Sequence, residues 1–327
     1  GGSDANIITQ SFQDKARVNI RRKMDPLSWT WLIFIVSFVF VLLSYSPEVY
    51  NCLPHLIKDV VVYGKLLDPR KRTGIQQYLL VPKRWFVHFY ILSFIWNGFI
   101  LMNVVQCTLQ GSVLPLWFSK MMSFLTSYPV SPPSVDLLTV LIAMTVIVIH
   151  AHRRIYECLA VSVYSNSSIH VTHYITGIFF YSFVGISIMA EGPNLSLKGE
   201  PIQLMDLVEE LRWHHIAGLL MFVWASWHHH IAHVIFANLR KTKKDVSRHM
   251  IPQGDWFDYV SCPHYLAETL IYTSLAVILG GHHRTWWLVL SFVFSNQTAA
   301  SVKVHRWYQG KFEDYPKERR AFMPFVF

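Results

Sequence analysis

The chain has 327 residues, of which 52% are apolar and only 15% are charged, and its formal net charge is +9. A soluble domain carries about 25% charged residues, so the polar surface is too small to cover a globule, and a disordered, collagen-like or disulfide-stapled chain is excluded as well. The basic residues lie in loops between apolar runs, where membrane topology rather than nucleic acid accounts for them.

Residues 1–23 read as a leader foreign to the rest: Gly1-Gly2-Ser3 resembles a linker scar, and Met24-Asp25-Pro26 directly precedes the first apolar run. Residues 24–327 then form a single domain. A spanning helix needs about 20 mostly apolar residues. In chain order the candidates are Leu27–Tyr45, Trp85–Leu109, Val135–Ala151 (running on toward Tyr164), Tyr174–Met189, His215–Ala237, Tyr265–Gly280 and Trp286–Val304. The expected fold is an all-α integral membrane protein of about seven transmembrane helices. Seven spans gather 20 Lys and Arg on one side, within 47–84, 152–173, 238–264 and 303–327, against four on the other. That imbalance predicts a lumenal N-terminus and a cytosolic C-terminus. Cys52, Cys107, Cys158 and Cys262 form no CxxC pair, and no zinc site or disulfide framework is implied.

Ionisable residues inside a bilayer are costly and therefore mark sites. They concentrate late in this chain. Trp227-His228-His229-His230-Ile231-Ala232-His233 ends the fifth span, and Glu268 lies early in the sixth, behind Tyr259 and His264. Asn296 and His305 follow on the seventh, with Tyr308 and Lys311 beyond, while His88 and Tyr90 open the second and His150, Arg153 and Glu157 end the third. A di-iron centre would need about eight imidazoles together. His282-His283 fall in a lumenal loop and His228–His233 near the cytosolic end, roughly 30 Å apart, so no metal is expected. Arg240, Lys241, Lys243, Lys244 and Arg248 form a basic loop that could hold a phosphorylated cofactor. The positive-inside bias alone would also place such a loop there.

The C-terminal string from Lys311-Phe312-Glu313-Asp314-Tyr315-Pro316-Lys317 to Pro324-Phe325-Val326-Phe327 resembles the end of the steroid 5α-reductase family. Ile251-Pro252-Gln253-Gly254-Asp255-Trp256-Phe257 and Tyr265-Leu266-Ala267-Glu268 resemble its cofactor-loop region. Val81-Pro82-Lys83-Arg84-Trp85, Trp96-Asn97-Gly98-Phe99 and Arg153-Arg154-Ile155-Tyr156-Glu157-Cys158-Leu159 are similar to its polyprenol/polyprenal reductase branch. The resemblance covers roughly residues 27 to 327. It implies a seven-helix enzyme of the endoplasmic reticulum membrane that takes NADPH from the cytosol and a long-chain isoprenoid laterally, for dolichol synthesis and N-glycosylation. No obligate protein partner is implied.

By position, the resemblance implies that Arg240, His249, Tyr259, Glu268, His305 and Tyr308 line the cofactor pocket; Arg153, His229, His233, His264 and Asn296 are further cofactor-binding candidates. His229 and His233 stand where the steroid enzymes carry Asn and an acidic residue, His264 replaces an Asn, and His150 stands in place of a carbonyl-binding Tyr. A 3-oxo steroid is the less expected substrate for that reason.

Chemistry narrows the choice. An isolated C=C accepts hydride poorly, whereas conjugation to an aldehyde puts the charge on an enolate oxygen, which hydrogen-bond donors stabilise. The expected reaction is therefore reduction of polyprenal to dolichal, with His88, Tyr90 and His150 as carbonyl polarisers and His305 as a further catalytic residue at the nicotinamide end. The alternatives are a 3-oxo-steroid 5α-reductase, a 2-enoyl-CoA reductase, a histidine-rich di-iron oxidase and a non-catalytic lipid-binding protein.

Overall fold

The computed structural model describes residues 24–54, 58, 79–165, 167–240 and 249–324. Residues 1–23, read above as a leader, and four residues of the basic loop (Lys241, Lys243, Lys244 and Arg248) lie outside the described residues.

Helix α1 spans Pro26–Leu43; Asp25 caps it by accepting from the Ser28 N–H (2.8 Å), with proline at the first helical position. A short α2 follows at Pro47–Cys52. Strand β1, Leu80–Pro82, leads through a 3-10 turn at Lys83–Trp85 into α3, Phe86–Gln110. Helix α4 is Leu116–Leu125, and α5, Leu137–Tyr156, is capped by Asp136 and continues into a π-helical turn at Glu157–Val161. Strand β2, Ser168–His170, pairs antiparallel with β1 in the register Leu80↔His170. This ribbon ties the start of α3 to the start of α6, Val171–Met189. Then come α7 at Leu204–Glu209, α8 at Trp213–Asn238, a 3-10 turn at Asp255–Asp258, α9 at Pro263–Ile278 and α10 at Arg284–Lys311.

The seven apolar runs read from the sequence coincide with α1, α3, α5, α6, α8, α9 and α10. Four of these are long and apolar enough to cross a membrane: Pro26–Leu43, Lys83–Gln110, Leu137–Val161 and Val171–Met189. The other three fall short on those two criteria. Helix α9 has only 16 residues, and α8 and α10 carry many polar side chains. The three short helices and the ribbon have no counterpart in the sequence reading.

Helices α8 and α9 form the closest pair. Helix α8 buries His215, Gly218, Phe222, Ala225, His229 and Ala232, a three-and-four spacing that keeps one face inward. At Gly218 a Cβ would lie 2.5 Å from Ile278 and 2.8 Å from the Ser274 carbonyl, so only glycine permits this approach. Gly280 and Gly281, at φ +67° and +74°, turn the chain from α9 into α10. Helix α10 packs on α1 and α6 through Phe292, whose ring lies 5.5 Å from Trp31 and 5.4 Å from Phe180. His228, on α8, donates to Asp255 (2.8 Å) and stacks on Trp256, fixing the segment before α9.

At the bundle end holding the start of α8 and the α9–α10 turn, Glu191 accepts from the Thr285 N–H (2.7 Å), the Thr285 hydroxyl (2.8 Å) and the Ser134 hydroxyl (2.8 Å). Burial alone would raise its carboxyl; the neighbouring His283 and these donors outweigh that and hold it below 4.5. A depressed carboxylate stabilises the fold above its unfolded pKa, and that contribution disappears as pH falls through the folded value. Glu191→Gln should therefore lower Tm at pH 7 but leave the gap to wild type shrinking below about pH 4.5. Thermal unfolding in detergent from pH 7 to pH 3 measures this; a gap independent of pH removes the role.

Candidate active site

The third long helix ends on Arg153-Arg154-x-x-Glu157, placing both cations one turn from the carboxylate. The π-helical turn that begins at Glu157 widens the helix there, a feature common at functional sites. Glu157 is fully buried. It accepts from Arg153 Nη1 (2.5 Å), from Arg154 Nη1 and from His230 Nδ1 (2.9 Å). Arg154 is only 7% exposed, and its guanidinium lies 4.8 Å above the ring of Tyr90 from α3.

Arg153 sets the tautomers of two histidines. Arginine only donates, so the ring nitrogens facing it, His150 Nδ1 (3.2 Å) and His229 Nδ1 (3.1 Å), are acceptors. Both imidazoles then carry their proton on Nε2. Those two Nε2 atoms lie 3.3 Å and 3.2 Å from the two oxygens of Glu268 on α9, close enough for charge contact but without hydrogen-bond geometry. Two arginines and two glutamates thus balance in charge within the bundle, with two neutral imidazoles between them.

This cluster has unspent hydrogen-bonding capacity. His150 Nε2, Arg153 Nε, Arg154 Nε, Glu268 Oε2 and Tyr272 Oη are buried without a hydrogen-bond partner. Donors and an acceptor left open side by side suit a carboxamide, which both donates and accepts, and the donors alone suit an aldehyde oxygen, which only accepts.

From His229 a line of rings leads outward: His233 at 4.7 Å, then His264 at 6.1 Å from His233. A second group follows around Ser261, whose Oγ lies 2.6 Å from both His305 Nδ1 and Tyr315 Oη. Burial pushes the Tyr315 phenol up. It therefore stays protonated, and the Ser261 hydroxyl bridges it to His305, with either oxygen of the Ser261–Tyr315 pair able to donate. Tyr308 stacks on Tyr315 at 5.4 Å, and Arg319 lies over the same ring while donating to the Pro252 carbonyl (2.9 Å). Arg319 Nε is also buried without a partner.

The sequence-selected residues divide accordingly. His150, Arg153, His229 and Glu268 meet directly, Tyr90 joins them through Arg154, and His233 and His264 continue the line. His305 and Tyr308 belong to the second group, and His249 packs on Trp307 (4.8 Å) nearby. Arg240 donates to the Val163 carbonyl (2.6 Å) just past the π-helical turn. Tyr259 is 56% exposed and Asn296 half-buried on α10. His88 stands apart: it is exposed, bonded to Tyr174 (3.0 Å), and lines a cleft of about 420 Å³ with Arg84, Trp85, Cys158, Ser162 and Tyr164. Arg154, Tyr272, Ser261 and Tyr315 were not among the selected residues. The doubled arginine inside an apolar run was the available signal for the first of these.

The histidines at the two ends of α8 lie apart, while Glu157, His229 and His233 bring one ligand atom each within 4.8 Å of one another. His215 and His229 are fourteen positions apart on one helix, about 21 Å along its axis. His283 bonds the Ile188 carbonyl at the same end as His215.

Fold and site together define a helical membrane protein with a charged, enclosed site inside its bundle. Residues 200–327 match the family described as 3-oxo-5-alpha-steroid 4-dehydrogenase. Over 93% of its length the chain is 39% identical to the polyprenal reductase of Homo sapiens, covering 96% of that protein. The polyprenal reductase of Ailuropoda melanoleuca is 38% identical over 93% of this chain and 96% of its own length, and that of Xenopus tropicalis 37% over 93% and 100%. The chain belongs to the steroid 5α-reductase family, in its polyprenal reductase branch.

Proposed function

We propose that this protein reduces the α-isoprene C=C of polyprenal to dolichal with NADPH, the net step from polyprenol to dolichol, in the endoplasmic reticulum membrane. The observation that carries the reading is the enclosed, charge-balanced cluster of Arg153, Arg154, Glu157 and Glu268, set beside 34–39% identity to polyprenal reductases along nearly the whole chain. All seven long helices then span the bilayer. The loop charge bias supports a cytosolic C-terminus and a lumenal start of α1.

The open donors and acceptor suit NADPH. Glu268 Oε2 would accept from the nicotinamide carboxamide, with His229 and His305 beside it, while Arg240, His249, Tyr308 and Arg319 at the cytosolic end would hold the ribose and phosphate portions. NADPH, when bound, supplies hydride to C3 of the enal. The residues of the chain manage the charge that this leaves. As hydride reaches C3, the π electrons move toward the aldehyde oxygen, where His150 Nε2–H and the Tyr90 side of the cluster would stabilise them. A proton then completes C2. The buried, unbonded hydroxyl of Tyr272 beside His150 supports it as the donor. Enclosure between apolar helices keeps water from screening these interactions.

Purified protein should oxidise NADPH with polyprenal and form dolichal by mass, with polyprenol inert. Reduction of polyprenol alone overturns the enolate argument. The match of residues 200–327 to the 3-oxo-5-alpha-steroid 4-dehydrogenase family makes a 3-oxo-4-ene steroid the second substrate to assay. Turnover of the steroid in preference to the aldehyde would transfer the assignment to it.

A further inference from the structure

The two arginines at the end of α5 are not equivalent, and the difference assigns one of them a role. Arg153 is fully engaged through its terminal nitrogens: Nη1 serves Glu157 and His229, and Nη2 serves His150. It acts as the fastener of the cluster. Among the described residues Arg154 has one ion-pair partner, Glu157, and holds no histidine; its Nε–H, like that of Arg153, is buried and unbonded. Its guanidinium lies on the Tyr90 ring. Beyond that ring lie Tyr181 at 5.2 Å and, through Phe180, Tyr272. The guanidinium thus lies on Tyr90 of α3, at one end of a run of rings that continues through α6 to α9.

A conjugated aldehyde is flat and apolar except at one oxygen. Aromatic faces suit its plane, and an unspent cationic donor suits the oxygen that gains charge. A histidine in the tautomer fixed above offers only a neutral N–H, whereas arginine keeps its charge at any working pH. Resting on the function proposed above, we propose that Arg154 is a catalytic residue whose guanidinium binds the carbonyl oxygen of the enal and stabilises the enolate. The step balances: hydride from the nicotinamide forms the C3–H bond, the C2=C3 π pair becomes the C1=C2 bond of the enolate, and the C1–O π pair moves to oxygen facing Arg154. Protonation at C2 returns the electron pair and regenerates the aldehyde. Glu157 is then a positioning residue that holds Arg154 against Tyr90.

Two measurements test this, one of them independent of turnover. Polyprenal labelled with carbon-13 at C1 is bound to the protein without NADPH, and its C=O stretch is read by isotope-edited infrared spectroscopy. In the wild type the stretch falls below its value in hydrocarbon, in Arg154→Met it returns to that value, and in Arg154→Lys it lies between. With NADPH present, Arg154→Met should lose about 10²–10³-fold in kcat, with KM for NADPH unchanged and with NADPH binding showing that the variant is folded. Arg154→Lys recovers part of that loss. An unshifted stretch in the wild type, or the same shift in wild type and Arg154→Met, overturns the assignment. So does unchanged kcat. If the wild type neither binds nor reduces polyprenal, the function proposed above fails, whereas a wild type that turns over polyprenal with an indifferent Arg154 fails this inference alone.

Discussion

Glu157→Gln should destabilise the protein by about 3–5 kcal/mol, because it leaves the buried Arg154 guanidinium and the part-buried Arg153 without the carboxylate they share. Glu157 is fully buried and receives Arg153, Arg154 and His230 together. A glutamine side chain fills the same volume but accepts with one neutral oxygen and turns an N–H₂ toward a cation. Charge, not shape, is what the substitution removes. Glu157→Gln combined with Arg154→Met should recover part of the loss, since the second change withdraws one of the stranded charges. Denaturant unfolding in a fixed detergent, followed by tryptophan fluorescence, measures both. A loss below about 1 kcal/mol for the single variant would mean that the guanidinium groups reach another anion or water on loosening.

This cluster shows how far the sequence could be read. Helices α1, α3, α5 and α6 were legible because their lipid-facing surfaces are apolar enough to register as composition. Helices α8 and α10 were legible as apolar runs, yet they turn polar residues toward the site, which dilutes the very signal that marks a span. The expected ends of the fifth run, His215 and Ala237, nevertheless lie within two residues of those observed. The β1–β2 ribbon was not legible: three residues on each side, 88 positions apart between Leu80 and Ser168, carry no period of their own. Among site residues, His150, Arg153, His229 and Glu268 announced themselves as ionisable groups in apolar surroundings. The selection of His88 used the same rule, but that side chain turns to the outside beside Trp85 and Tyr174. Proximity in sequence to Tyr90 could not reveal this, since positions two apart on a helix face different ways. Arg154 was hidden by the converse effect. At the end of a predicted span it reads as a positive-inside residue, and only the position of Glu157 shows that it points inward.

His305→Ala should retain the fold and lose turnover by at least about 100-fold. The His305 side chain is half-buried and, among the described residues, hydrogen-bonds through Nδ1 to Ser261, so its removal opens little of the core. Its function lies in direction. In the relay on which this prediction rests, Tyr315 donates to Ser261, Ser261 donates to Nδ1, and the imidazole is left with Nε2–H as its outward donor. Ser261→Ala keeps the ring but releases that tautomer, so its loss should be smaller, about 10–100-fold, in the range found when the partner that orients a histidine is removed. Tyr315→Phe should resemble Ser261→Ala more than His305→Ala. The three variants are compared in kcat, in KM for NADPH and in Tm. Near-normal turnover in His305→Ala removes its role at the nicotinamide end. Losses in Ser261→Ala as large as those in His305→Ala, with Tm unchanged, would instead make the hydroxyl the group that contacts the cofactor and the imidazole its support.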